Sequence, residues 1–139
     1  MKRYIQYIIN SVLFVLLASL TSSFAQDKSS SEVLAVLSEE LLNTQLDVWE
    51  EGEVIVTYLE APAGFEIKKH YHPGEEFAYV IEGSGTAWFE DKPEIVVSKG
   101  DIIKIPYKAV HTFIPGPNGA KVLVFRVHKQ GEPIRIIVE

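Results

Sequence analysis

From Glu53 to Val138 the chain is a succession of short runs rich in branched and aromatic residues, each closed by a turn signal, and this punctuation does most to limit the fold. Candidate strands run over Glu53–Glu60, Ile67–His72, Phe77–Glu82, Gly85–Glu90, Ile95–Val97, Ile102–Ile105, His111–Ile114, Val122–His128 and Ile134–Val138. Between them lie Pro73-Gly74, the Glu82–Gly85 stretch, Asp91-Lys92-Pro93, Lys99-Gly100-Asp101, the Pro115–Gly119 stretch and the Gln130–Pro133 stretch. Many short strands with such separators predict an all-β sandwich or barrel. Glu32 to Asn43 is open between two readings, a helical face or a short strand and turn against the barrel.

Chemistry enters at two places. Successive side chains on a strand alternate faces, so His70 and His72 project to the same side. Pro73 and Gly74 offer a turn, and Glu76 opens the next apolar run, which is expected to pair antiparallel with the histidine strand. His111 follows downstream. Three imidazoles and one carboxylate can then converge inside a barrel, which is a ligand set for a borderline divalent transition metal. Such sites accept Fe, Mn, Ni, Cu or Zn, so the residues do not name the ion.

Spacing makes the resemblance specific. Gly64, His70, His72, Glu76 and Gly83 follow the pattern Gly, five residues, His-x-His, three residues, Glu, six residues, Gly. Gly100, Pro106 and His111 follow a second pattern, Gly, five residues, Pro-x-Gly, two residues, His, three residues, Asn, although Lys108 replaces its Gly and Pro115 its Asn. In both segments the chain resembles the cupin superfamily, loosely over Val54 to Val138. The resemblance implies a single jelly-roll β-barrel with His70, His72, Glu76 and His111 as metal ligands. Four protein ligands on an octahedral ion leave two positions open, as a working metal requires. Glu76, the anionic member, is also the candidate base. Cupins of this kind include dioxygenases of the quercetin dioxygenase type, carbohydrate isomerases, unsaturated-uronate-converting enzymes and non-catalytic binding modules, and fold does not choose among them. A small-molecule dioxygenase is the leading expectation.

The start of the chain reads as an export signal. Met1-Lys2-Arg3 is basic, Val12 to Leu20 is apolar but for Ser19, and Ser23-Phe24-Ala25 supplies small residues before Gln26. The expected organisation is a signal peptide over 1–25, an N-terminal segment packing on the barrel over 26–50, and a cupin domain over 51–139. That predicts a periplasmic or secreted protein with no stable membrane anchor after cleavage. Cleavage removes two basic residues and no acidic one, so the mature chain is more acidic than the full chain at −6. An acidic protein without a basic run has no electrostatic footprint for nucleic acid. With zero cysteines there are no disulfides and no thiol nucleophile. The partners expected are a small-molecule substrate and a second copy of the chain, since Ile134 to Val138 is an apolar strand with little to cover it.

Among the remaining polar residues, Glu75 is expected to face solvent, and so is Arg126, because Leu123, Phe125 and Val127 form the apolar alternation of that run. His128 matches no motif position and reads as structural. Tyr58, Tyr79, Trp88, Phe89 and Tyr107 read as packing residues, whereas Ala78, Val80 and Phe113 are expected to share the lumen with the metal.

Overall fold

The computed structural model describes residues 35–139. The export signal expected over Met1–Ala25 lies outside them. Eight strands follow in order: β1 Leu37–Leu46, β2 Trp49–Ala61, β3 His70–Tyr71, β4 Gly74–Phe89, β5 Lys92–Ser98, β6 Ile102–Ile105, β7 His111–Lys129 and β8 Ile136–Ile137. All pairings are antiparallel. The order β1-β2-β7-β3-β8 runs across one path, and β4 joins β7, β5 and β6 beside it. The sheet curls into a jelly-roll barrel.

Two strands are longer than the sequence suggests. Glu82–Gly85, expected to separate strands, lies inside β4, and Pro115–Gly119 lies inside β7. Both strands bend at these points instead of ending. The β4–β7 register shifts between Val80 and Glu82 and again between Gly83 and Gly85. Gly83 sits at φ 78, and a Cβ there would collide with the Gly119 carbonyl, so glycine is needed for the close approach. The glycine- and proline-rich stretches are corners of the barrel. Conversely, only His70 and Tyr71 of the run Ile67–His72 pair as a strand, and they pair with β7 and β8. The expected pairing of the histidine strand with the Glu76 strand does not occur: β4 pairs with β5, β6 and β7. Of the segment Glu32 to Asn43, open between helix and strand, Leu37 onward belongs to β1, beside β2, and residues 32–34 lie outside the described residues.

Register sets the interior. Across β2, β7 and β4 the rows Ile55–Arg126–Glu76, Thr57–Val124–Ala78 and Leu59–Val122–Val80 stand side by side. Side chains alternate along a strand, so these rows share the inner face. Val80, Val122, Val124, Ala78 and Ile55 are buried, as are Ala87, Phe89 and Ile105 from neighbouring positions. Burial of this apolar set holds the barrel closed, at roughly 25 cal/mol per Å² removed from water. The opposite alternation, Leu123, Phe125 and Val127, is only half-buried and covers the outside. The solvent-facing assignment of Arg126 was therefore wrong. Because β7 is apolar on both faces, its pattern does not reveal which one looks inward, and Arg126 points into the lumen.

Candidate metal centre

The three motif histidines meet. His70 and His111 are direct partners between β3 and β7, and His72 follows two residues after His70 on the same side. One ring nitrogen from each lies within 4.8 Å of the others. All three side chains are buried, with residue exposures of 7% or less.

Their orientation is fixed from behind. Nδ1 of His70 lies 2.7 Å from the Lys68 carbonyl, Nδ1 of His111 lies 2.9 Å from the Ala109 carbonyl, and Nδ1 of His72 lies 2.5 Å from the Ile134 carbonyl. A carbonyl oxygen can only accept, so each Nδ1 carries the proton and donates it. In the neutral ring, each Nε2 then keeps a lone pair directed inward, as a ligating imidazole requires. Two of these bonds are local, from a ring to the carbonyl two residues back. The third comes from the C-terminal segment, whose β8 pairs with His70 and Tyr71. Lys108 also supports the site through its backbone. Its N–H donates to the His72 carbonyl at 3.1 Å while the residue sits at φ 56, a left-handed conformation that favours glycine.

Glu76 stands beside the histidines. Its Oε2 lies 2.9 Å from Nε2 of His72 and 2.7 Å from Nε of Arg126. Arg126 also donates from Nη1 to the Thr57 hydroxyl at 3.2 Å. Burial alone would push the Glu76 pKa up, but His72 and the Arg126 guanidinium hold it down at about 2. Burial lowers the His70 pKa to about 4, and lowers that of His111 as well. At neutral pH the site therefore presents a carboxylate with neutral His70 and His111 rings.

These residues fit a divalent transition metal. Nε2 of His72 is buried and has no hydrogen-bond partner. It lies 2.9 Å from the Glu76 carboxylate, so a cation shared between the two, a proton or a metal ion, satisfies both groups. His70, His72 and His111 would hold the ion, with Glu76 within reach as the anionic member of an N/O donor set.

Other assignments sort cleanly. Glu75 points outward and pairs with Lys104. Ala78, Val80 and Phe113 line the cavity above the histidines. Phe89 packs 6.1 Å from the His111 ring, while Tyr79 and Tyr107 are exposed and Trp88 lies under Lys69. His128 does not join the cluster. It is buried, with Nε2 3.5 Å from Glu53. Arg126 and Thr57 are the site residues that sequence reasoning missed. Arg126 shares the parity of Ala120, Val122 and Val124, but both faces of β7 are apolar, so no local signal separates them.

Above the histidines the lumen forms a cavity of about 830 Å³, within the range of small-molecule sites. The fold recurs in solved structures. The DMSP lyase DddQ from Ruegeria pomeroyi superposes with a TM-score of 0.62 at 19% identity, over 78% of this chain and 54% of that one. An RmlC-like cupin from Methanocaldococcus jannaschii, a double-stranded β-helix, matches at 0.53 and 22% identity, over 70% of this chain and 83% of its own. A salicylate 1,2-dioxygenase variant from Pseudoaminobacter salicylatoxidans matches at 0.54 and 16%, over 70% and 32% respectively. This chain thus spans about half the lyase and a third of the dioxygenase, and at these identities the likeness concerns the fold. No curated protein sequence matches it. The cupin-domain sequence family, however, matches residues 56–126, just over half the chain, and includes all four motif residues. With that match, the strand order and the histidine cluster in agreement, the chain belongs to the cupin family.

Proposed function

We propose that this chain is an exported, metal-dependent cupin enzyme acting on a small molecule, and that its reaction is a dioxygenation. One observation carries the reading: three Nε2 lone pairs, fixed by backbone carbonyls, converge at the base of a cavity large enough for a substrate. A structural metal would be enclosed by its ligands, whereas these histidines His70 and His111 themselves line the cavity. A bound Fe, Mn, Ni, Cu or Zn ion would supply Lewis acidity, and a redox-active member of that series would also activate dioxygen.

The chain's own residues would do the rest. Glu76, kept ionised by Arg126, accepts a proton from the substrate's acidic O–H or C–H group. Arg126 is itself held by Thr57, so the carboxylate is aimed before substrate arrives. The apolar barrel wall keeps bulk water from the reacting end. Export through Met1–Ala25 and assembly as a homodimer through the terminal strand or the outer sheet face belong to the same proposal.

Elemental analysis of the purified mature chain, followed by oxygen uptake with a flavonol or catechol, tests the reading. Metal-dependent uptake is expected. A metal-loaded protein that consumes no oxygen with either class would favour a non-catalytic binding module.

A further inference from the structure

The cavity is divided by chemistry. Its histidine end carries every buried polar side chain of the lining, His70, His111, Glu76, Thr57 and Thr112, together with the half-buried Arg126. Two of these already bond within the protein, since the Thr112 hydroxyl donates to the Ile67 carbonyl and Thr57 accepts from Arg126. Away from that end, the barrel wall is built from Val80, Ala87, Val97, Ile103, Phe113 and Val122. The remaining polar lining residues, Ser38, Glu40, Glu66, Lys68 and Arg135, are all exposed and form the rim.

Resting on the reading of the histidines as a metal centre, we propose that the ligand is an amphipathic small molecule. Its oxygen donors are confined to one end, against the histidines and Arg126. Its body is an unbroken apolar unit, aromatic or alkyl, that lies along the valine and phenylalanine wall. Polyhydroxylated compounds of sugar type are excluded. The wall offers no donor or acceptor, so each hydroxyl pressed against it loses its water without a replacement, at a cost of roughly 10-fold in affinity. An apolar body of ring size instead gains from the area it buries. The same barrel could serve sugars only if polar side chains replaced several of those wall positions.

Hydroxamic acids separate head from body, because one metal-binding head can carry different bodies. Acetohydroxamate, 2-naphthohydroxamate and gluconohydroxamate would be titrated calorimetrically into the zinc-loaded mature chain and into the chelator-stripped chain. The expected result is 2-naphthohydroxamate binding on the order of 30-fold more tightly than acetohydroxamate, with gluconohydroxamate no tighter than acetohydroxamate. The shape-conserving replacements Val122→Thr and Val97→Thr should each narrow the naphthyl advantage several-fold. Gluconohydroxamate matching or exceeding 2-naphthohydroxamate would overturn the proposal, as would a naphthyl advantage indifferent to both replacements. If zinc made no difference to acetohydroxamate while the naphthyl preference persisted in the stripped chain, the metal reading would fall and the apolar body site would stand.

Discussion

Nε2 of His72 and Oε2 of Glu76 face each other at 2.9 Å inside the barrel, and Arg126 Nε approaches the same oxygen at 2.7 Å. The carboxylate thus sits between the His72 ring and a permanent cation. Arg126 compensates its charge from one side, and an ion held by the histidines would share that work. The balance between Arg126 and such an ion would set the charge of the site.

Removing Arg126 should expose that balance. Arg126→Met leaves Glu76 ionised and uncompensated in a buried position, a class of change that costs about 3–5 kcal/mol. Urea unfolding of the metal-free variant should show a loss of that order. With zinc present the loss should shrink, because the ion takes over the neutralisation. An equal loss with and without zinc would mean that Glu76 does not share the ion's field.

Acid should destabilise the metal-free protein in two stages. His70 has its pKa lowered from 6.5 to about 4, so on acidification the unfolded chain takes up this proton before the folded one does. The associated stability is complete above the unfolded value and is lost as pH falls from 6.5 through about 4. His111, also lowered, acts with the same sign. Glu76 is lowered from 4.5 to about 2, so its contribution is lost below 4.5 and as pH falls through about 2. Urea midpoints measured across this range should fall monotonically with pH. A flat profile between pH 7 and 4 would show that the rings are not buried in neutral form.

Lys108 offers a gain. It occupies a left-handed φ of 56 where the family pattern has glycine, and a non-glycine residue there costs roughly 1–2 kcal/mol. Glycine returns part of this as unfolded-chain entropy, so Lys108→Gly should stabilise by about 0.5–1 kcal/mol. A thermal melt with a higher Tm and unchanged metal content is the expected outcome; a lower Tm would place the Lys108 side chain in a supporting contact.

What the sequence made legible follows from how local each signal is. His70 and His72 share a face by strand geometry alone, and the parity of Glu76 with Ala78 and Val80 placed it inward while leaving Glu75 outside. Ile102–Ile105 coincides with β6, because Gly100 and Pro106 bracket it. Corners were harder. Gly83 and Pro115–Gly119 have the composition of turns, yet neighbouring-strand pairing carries β4 and β7 through them. Arg126 was misplaced for a related reason: with Val124 on one face and Phe125 on the other, inward direction is decided by register against Glu76 and Ile55 across two strands. The Ile134 carbonyl behind His72 lies 62 residues away in sequence, and no local pattern announces it.

The histidine cluster is tested most directly by metal content after dialysis against a chelator, measured on the wild type, His72→Ala and His128→Ala. The wild type should retain about one transition-metal ion per chain, the occupancy set by a single cluster of ligands. His72→Ala removes one converging Nε2 and should lose most of the metal while staying folded. His128→Ala should keep the metal, despite a loss of stability of about 1–3 kcal/mol from the space left beside Glu53. Equal metal in His72→Ala and His128→Ala would contradict the site.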